Sequence, residues 1–197
     1  MKRGFDIIIS LVLVLVLLPL LLVVALSIAL TSPGGAFFRQ VRVGRGGHEF
    51  KLMKFRTMRP DSEAKGQLTI GGRDPRVTRV GFFLRKSKLD ELPQLWNVLV
   101  GEMSLVGPRP EVPKYVALYS AEQRQVLNVR PGITGPASLR YIDENELLAR
   151  SSDPERTYIQ ELMPAKLAID LRYVRERSFL LDLGILFGTA RGMLFRG

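Results

Sequence analysis

The sequence predicts an α+β protein, mainly helical, that is held to a membrane through its first segment. Three observations carry this. Residues Ile7 to Leu30 contain no charged side chain, and only Ser10, Pro19 and Ser27 interrupt their apolar character. Phe37 to Val43 and Glu49 to Met58 are rich in strand formers and flank Gly44-Arg45-Gly46-Gly47, the pattern of a hairpin. Beyond them apolar residues recur mostly at helical spacing, as in Leu92, Leu95, Trp96 and Leu99. The expected organisation is a re-entrant helix-break-helix over residues 1–35, then a domain over residues 36–197. That domain holds a short β-hairpin and a helical body with interfacial amphipathic helices. At 197 residues the chain fits one domain with a sizeable core.

The apolar segment is long enough for a membrane, since about 20 residues span a bilayer core. Lys2 and Arg3 precede it, as in a signal peptide. A signal's apolar region is only about 7–15 residues, and no small-x-small cleavage site directly follows one of that length here. Two features oppose a straight spanning helix. Pro19 removes a backbone hydrogen bond at its middle. Basic residues also flank both ends, with Lys2 and Arg3 before and Arg39, Arg42 and Arg45 after, and one crossing cannot put both on the inner side. A re-entrant segment satisfies both observations. The residues alone leave a proline-kinked spanning helix equally open.

After the hairpin, Arg59 to Pro75 is polar and contains Pro60, Gly66, Gly71 and Gly72. It reads as a surface loop able to cover a site. Neither a Walker nor a Rossmann glycine pattern occurs.

The stretch Arg85 to Pro110 is the most informative. Asp90 and Glu91 follow a basic run and precede Pro93. Proline is best tolerated in a first helical turn, so the two carboxylates belong at or just before a helix start. Such a position favours ionised carboxylates and attracts phosphate. If both were helical they would point about 100° apart, letting one face a substrate while the other holds a metal or a cation. The plainer reading is a helix-terminal charge pair answered by Arg85 and Lys86.

Tyr115 to Asn128 reads as a surface helix, and Arg130-Pro131-Gly132-Ile133-Thr134-Gly135 as a shaped turn. Arg130 there is either a fork for phosphate or an exposed turn residue. Asp153-Pro154-Glu155 starts a helix that should end near Met163-Pro164, and Lys166 to Glu176 forms another. Ser178 to Phe195 is shorter and more polar than a spanning segment, and lies either on the core or, preferably, in the membrane interface.

Composition narrows the function classes. The net charge of +10 calls for a polyanionic partner: nucleic acid, an anionic membrane surface or a phosphorylated substrate. The basic residues are scattered, and no nucleic-acid motif accompanies them. With no cysteine, thiolate metal sites and disulfides are excluded. One histidine, His48 in the hairpin turn, argues against a histidine-rich metal site or a histidine-based triad.

Four motifs together resemble one family. Leu89-Asp90-Glu91, Gly107-Pro108-Arg109-Pro110, Lys54-Phe55-Arg56-Thr57-Met58 and Arg130 to Gly135 resemble the signature of the bacterial sugar transferases. These are small monotopic phosphoglycosyl transferases that act on polyprenol phosphate. The likeness runs from the membrane segment to the C-terminus and weakens after Gly135. There Pro136-Ala137-Ser138 stands where many relatives carry a Trp-Ala-Gln-Val run, and Leu18 replaces a serine that often precedes the membrane proline.

The resemblance implies a membrane segment broken at Pro19, and transfer of a sugar 1-phosphate from a UDP-sugar to polyprenyl (undecaprenyl) phosphate with release of UMP. It implies that Asp90 attacks the sugar-bearing phosphate to give a phosphoryl-aspartate. Glu91 holds Mg²⁺ or handles a proton. Arg56, Arg85, Pro108, Arg109, Pro110, Arg130 and Asp170 contact substrates, and Asp90 and Glu91 serve a Mg²⁺ cofactor. A salt bridge to Arg130 or Arg172 is an equally good reading of Asp170. The implied place is the cytoplasmic face of the bacterial inner membrane, in contact with its lipid, at the first membrane step of a cell-surface glycan. Nucleic acid is not an expected partner, and a homo-oligomer is left open. The competing classes are a basic membrane-bound scaffold and a nucleic-acid-binding protein without catalysis. Asp90 and Glu91 set among Arg85, Arg109 and Arg130 favour the enzyme.

Overall fold

The computed structural model describes residues 1–60, 62, 68–71 and 74–194. Gly66 and Gly72 of the expected loop, and the last residue of the expected Ser178–Phe195 helix, lie outside the described residues. Helix α1 (Lys2–Thr31) leads into a hairpin of β1 (Phe37–Val43) and β2 (Glu49–Phe55). Then come α2 (Arg79–Lys86), α3 (Gln94–Val100), β3 (Ser104–Val106), α4 (Pro113–Val116), β4 (Gly132–Thr134), α5 (Pro136–Arg140) and α6 (Glu144–Ala149). Helices α7 (Pro154–Thr157), α8 (Met163–Glu176) and α9 (Phe179–Leu194) follow. The fold is mainly helical α+β, as expected.

Helix α1 is continuous through Pro19 and runs about 45 Å at 1.5 Å per residue. The expected interruption at Pro19 is therefore not a non-helical break: proline removes one ladder bond, and the flanking turns keep helical geometry. Both ends of α1 are fastened to one body. At the start, the Arg3 guanidinium donates to the Val98 and Leu99 carbonyls at 2.7 and 3.1 Å, capping the end of α3. Lys2 reaches Asp182 at 2.5 Å, and buried Asp6 accepts from the Ser104 hydroxyl at 2.8 Å and the Leu105 amide at 3.3 Å. Near the other end, Val24 and Ile28 pack with Phe55 and Leu84. Between the anchors, Leu11, Val12, Leu15 and Val16 are exposed apolar side chains.

The hairpin register pairs Phe37 with Phe55 and Val43 with Glu49. Its second strand stops at Phe55, short of the expected Met58, which instead makes an isolated bridge to Val77. The opposite edge of β2 is met by a side chain: Asn97 donates to the Lys51 carbonyl at 2.9 Å and accepts from the Met53 amide at 3.0 Å. An amide group can satisfy one donor and one acceptor of a strand edge at once. This fixes α3, and the residues just before it, beside the hairpin.

Three expectations for the second half are corrected. Within residues 130–135, Gly132–Thr134 forms a strand, β4, parallel to β3, rather than only a turn. Tyr115 to Asn128 is not one surface helix. It divides into α4 and a 3₁₀ segment, Gln123–Asn128, with Tyr115, Val116, Tyr119 and Val126 buried. The helix begun at Asp153, whose carboxylate caps the Arg156 amide at 3.0 Å, does not end near Pro164. It passes through a π-helical turn, Tyr158–Leu162, into α8, where Pro164 occupies the tolerated first turn.

The β3–β4 junction has no room for side chains. A Cβ on Gly132 would lie 2.1 Å from the Gly107 amide nitrogen and 2.4 Å from the Thr134 carbonyl oxygen. Gly132→Ala should therefore lose at least about 3 kcal/mol or fail to fold, the outcome of steric conflict with backbone. Gly4→Ala, where a Cβ meets nothing within 4 Å, should melt no lower than the parent. Thermal melts in one detergent check both, and equal midpoints for the two variants would refute the close-approach argument.

Candidate active site

Asp90 and Glu91 lie on a single 3₁₀ turn, Leu89–Glu91, just ahead of Pro93, which caps α3. The residue before the turn, Lys88, has φ 58°. Both carboxylates thus precede the helix rather than riding on it. The apolar residues of α3 do not form the buried face that their spacing suggests. Gln94, Leu95, Asn97 and Val98 are buried, while Trp96 is 56% exposed. Asn97 sets this rotation through its bonds to β2.

The pair is asymmetric. Glu91 is held from two sides, by Lys54 of β2 at 3.1 Å and by Arg109 at 2.5 Å. The second Arg109 nitrogen lies 3.3 Å from the other carboxylate oxygen, completing a two-pronged contact. Burial opposes ionisation, but Arg109 and Lys54 outweigh it and hold the Glu91 carboxyl well below the usual carboxylate range. Asp90 is buried and takes no hydrogen bond among the described residues. Burial raises its pKa, assisted by Glu91 and opposed by Lys54, Arg85 and Lys88. Arg85 is held by Thr57 at 2.9 Å and Thr69 at 3.3 Å, with its charge toward Asp90.

These groups line one cavity of about 520 Å³, together with Pro108, Arg109 and Pro110. Arg109 comes from the segment after β3, which is clamped on one side by backbone bonds from Gly107 to Thr134 and from Gly132 to Pro108. On the other side Arg42 donates to the Pro110 carbonyl at 2.9 Å and to Glu111 at 3.2 Å. Tyr158, from the π-helical turn, also donates to Glu111.

Asp170 borders the same cavity, as do Tyr115, Tyr119 and Tyr158. Burial pushes its carboxyl up to about 7, against Lys166 and a backbone bond to Ala137. One of its oxygens has no partner among the described residues. The alternative reading of Asp170, a salt bridge to Arg130 or Arg172, does not form: Arg130 donates to the Gly101 carbonyl at 2.8 Å, and Arg172 pairs with Glu176 at 3.1 Å.

Of the residues singled out in the sequence, the fold gathers Asp90, Glu91, Arg85, Pro108, Arg109, Pro110 and Asp170 around the cavity. Arg56 and Arg130 are not among its walls. The Arg56 guanidinium donates to the carbonyls of Gly34, Gly35 and Phe37 at 2.8–3.1 Å and so ties α1 to β1. Its motif contributes Lys54 instead, which the sequence reading passed over. Pro19 is exposed on α1 and is not among the cavity's walls.

Among the described residues, no group of three or more His, Cys, Asp or Glu side chains is placed to hold a metal ion. Mg²⁺, however, commonly takes only one or two carboxylates and completes its shell with water and phosphate oxygens. Asp90, facing the cavity without a hydrogen bond, and the adjacent ionised Glu91 fit that donor set.

A carboxylate pair ringed by cations lines a cavity that also includes Leu13 of a 30-residue apolar helix long enough to cross a membrane. The chain belongs to the bacterial sugar transferase family, whose model matches residues 1–196. It is 42% identical to the exopolysaccharide production protein PSS of Rhizobium leguminosarum, over 100% of this chain and 96% of that protein. It is 42% identical to the UDP-glucose:undecaprenyl-phosphate glucose-1-phosphate transferase of Caulobacter vibrioides, over 98% and 69%. It is 39% identical to the UDP-N-acetylgalactosamine-undecaprenyl-phosphate N-acetylgalactosaminephosphotransferase of Aeromonas hydrophila, over 98% of this chain but 44% of that one.

The raised pKa of Asp170 has a sign. Below about pH 4 its carboxyl is neutral whether folded or not, and costs nothing. Between there and about 7 the unfolded chain ionises first, so stability falls as pH rises, and above it the full cost stands. Asp170→Asn should raise the melting temperature more at pH 8 than at pH 5, with a limit of about 4 kcal/mol for three units of pKa. A gain independent of pH would remove Asp170 titration as its cause.

Proposed function

We propose that this protein is a phosphoglycosyl transferase that moves a sugar 1-phosphate from a UDP-sugar to polyprenyl (undecaprenyl) phosphate. The observation that carries the reading is the asymmetry of the dyad, with Glu91 locked between Lys54 and Arg109 and Asp90 without a hydrogen bond in the same cavity. The family relatives supply the substrate class.

A pyrophosphate repels an attacking anion, so cations must first gather its charge. Lys54, Arg85 and Arg109 are positioned for that task. An Asp90 carboxylate oxygen attacks the phosphorus that bears the sugar. The bond from that phosphorus to the bridging oxygen breaks, and UMP departs with the electron pair. In the second step a phosphate oxygen of the polyprenyl acceptor attacks the same phosphorus, the aspartyl oxygen leaves, and Asp90 is restored. Asp90 and Glu91 would hold Mg²⁺, which when bound neutralises phosphate charge. Glu91, kept well below the usual carboxylate range, is a poor proton acceptor and fits this role better than proton handling.

The reading places residues 1–35 in the inner membrane and residues 36–197 on its cytoplasmic face as the catalytic part. Both ends of α1 are fastened to one body, which supports a helix with both ends on one side of the bilayer more than one that crosses it. Trp96, Phe83, Leu180 and Phe187 expose apolar side chains fit for the interface. Release of a lipid-linked sugar there would begin a cell-surface glycan.

Two experiments test the proposal. Protein incubated with Mg²⁺ and a panel of UDP-sugars, without lipid, should release UMP and gain a sugar-phosphate on Asp90, seen by intact-mass and peptide analysis. Asp90→Asn should form no adduct and turn over about 10³-fold more slowly, near 4 kcal/mol of barrier. UMP release that strictly requires lipid would sink the covalent route. For topology, the chain has no cysteine, so single cysteines at exposed Gly4 and Arg45 report cleanly. Both should resist an impermeant thiol reagent outside intact cells and react after permeabilisation. External labelling of one alone would establish a crossing helix.

A further inference from the structure

A second buried ion pair lines the cavity that holds Asp90. Lys166 of α8 donates to the Glu144 carboxylate, at the start of α6, at 2.5 Å. The two side chains are 14% and 23% exposed, and both are walls of the cavity. Contacts tie the pair to the segment that carries Arg109. The Tyr158 hydroxyl donates to Glu111, and the Lys166 ammonium stands 5.4 Å from the centre of the Tyr158 ring. Glu91 first, and Glu144 as well, favour the protonated form of Arg109 against its burial. The pair therefore lies within range of the dyad's cations. It also has hydrogen-bonding capacity to spare. An ammonium has three donors and a carboxylate two oxygens. Lys166 uses one donor on Glu144 Oε2, and Glu144 Oε1 takes no hydrogen bond among the described residues. Pinning α6 to α8 uses one bond of that set.

We propose that Glu144 and Lys166 bind hydroxyls of the transferred sugar and set which sugar is accepted. The inference rests on the transferase reading above. Lys54, Arg85 and Arg109 answer the charge of a pyrophosphate. Glu144 and Lys166 together carry no net charge, so they add nothing to that task. They present an acceptor and donors side by side, which complements the neighbouring hydroxyls of a neutral sugar ring. One hydroxyl donates to the free Glu144 oxygen, and one accepts from a spare Lys166 donor. The Lys166 charge is already answered by Glu144, so the carboxylate of a uronic sugar finds no unpaired cation in the pair. Hydroxyl-reading pairs discriminate well, because an analogue lacking the hydroxyl leaves buried polar groups without a partner.

The test measures lipid-free UMP release by the full chain in detergent. The substrates are UDP-glucose, UDP-galactose, their 2-acetamido counterparts and UDP-glucuronic acid, with 3-deoxy and 4-deoxy analogues of the best neutral sugar. The parent should use UDP-glucuronic acid, and at least one deoxy analogue, about tenfold less well than the best sugar. Glu144→Gln and Lys166→Met should each lower kcat/KM for the best sugar about tenfold, but for that deoxy analogue by less than about twofold. The Kd for UMP, which has no sugar, should stay within about twofold in calorimetry. An equal loss on the sugar and on its deoxy analogues would make the pair structural and overturn the proposal. Equally weakened UMP binding would assign the pair to the nucleotide and overturn it too. The deoxy analogues on the parent need no variant, and indifference of the parent to both would also overturn it. If the parent releases no UMP from any of these substrates, the transferase reading fails. Calorimetry of the same set then decides separately: sugar-dependent binding lost in Glu144→Gln supports the pair's role, and unchanged or absent binding overturns it.

Discussion

Glu91 is the point at which three separate parts of the chain meet. The hairpin brings Lys54, the segment after β3 brings Arg109, and the 3₁₀ turn brings the carboxylate itself. Burying any one of these charges alone would cost several kcal/mol. Together they offset that cost, and they do so only if hairpin, turn and the Gly107–Glu111 segment sit in one arrangement. The tight Gly107–Gly132 contact and the Arg42–Glu111–Tyr158 cluster hold that segment from its two sides. Losing one partner of a buried pair typically costs about 3–5 kcal/mol, so the arrangement has little freedom to drift.

The same interaction explains why adjacent carboxylates behave differently. Glu91 takes the strongest contacts of its cationic neighbours, leaving Asp90 with charge nearby but no hydrogen bond among the described residues. A carboxylate held only by field, and not by donors, keeps its lone pairs for another atom. Its raised pKa is the result of burial in that setting, and Lys54, Arg85 and Lys88 limit how far the rise can go. Burial and cation density thus oppose each other at Asp90, while at Glu91 the cations prevail.

Much of this was legible in the sequence, for identifiable reasons. The hairpin follows from strand formers flanking four turn residues, and Asp90-Glu91 ahead of Pro93 follows from what proline permits. The residues missed share a different cause. Lys54 looks like a solvent-facing strand charge because alternation cannot say which neighbours cover a strand face. Arg56 and Arg130 look like phosphate ligands because a guanidinium suits phosphate, yet it suits clustered backbone carbonyls equally, and only the fold brings those carbonyls near. Trp96 reads as core until Asn97 rotates α3 to meet β2. Tyr115 to Asn128 keeps an apolar pattern compatible with one helix, but short pieces bury those side chains better around α8. In each case tertiary contact decides what local pattern leaves open.

The N-terminal helix links these local facts to the proposed place at a membrane. Its polar residues are concentrated at the start, where Lys2, Arg3 and Asp6 bind β3, α3 and α9 directly. These are the elements that border the dyad cavity. Helix α1 is thus part of the cavity's scaffold, not a tether joined to it by a linker, and under the proposed function how α1 lies sets the depth of the cavity in the lipid. Under the proposed function one substrate is soluble and one lipid-bound, so the reacting carboxylate must be held at a fixed height above the acyl chains. Fastening α1 by both ends to the body that carries Asp90 meets that requirement with no additional element.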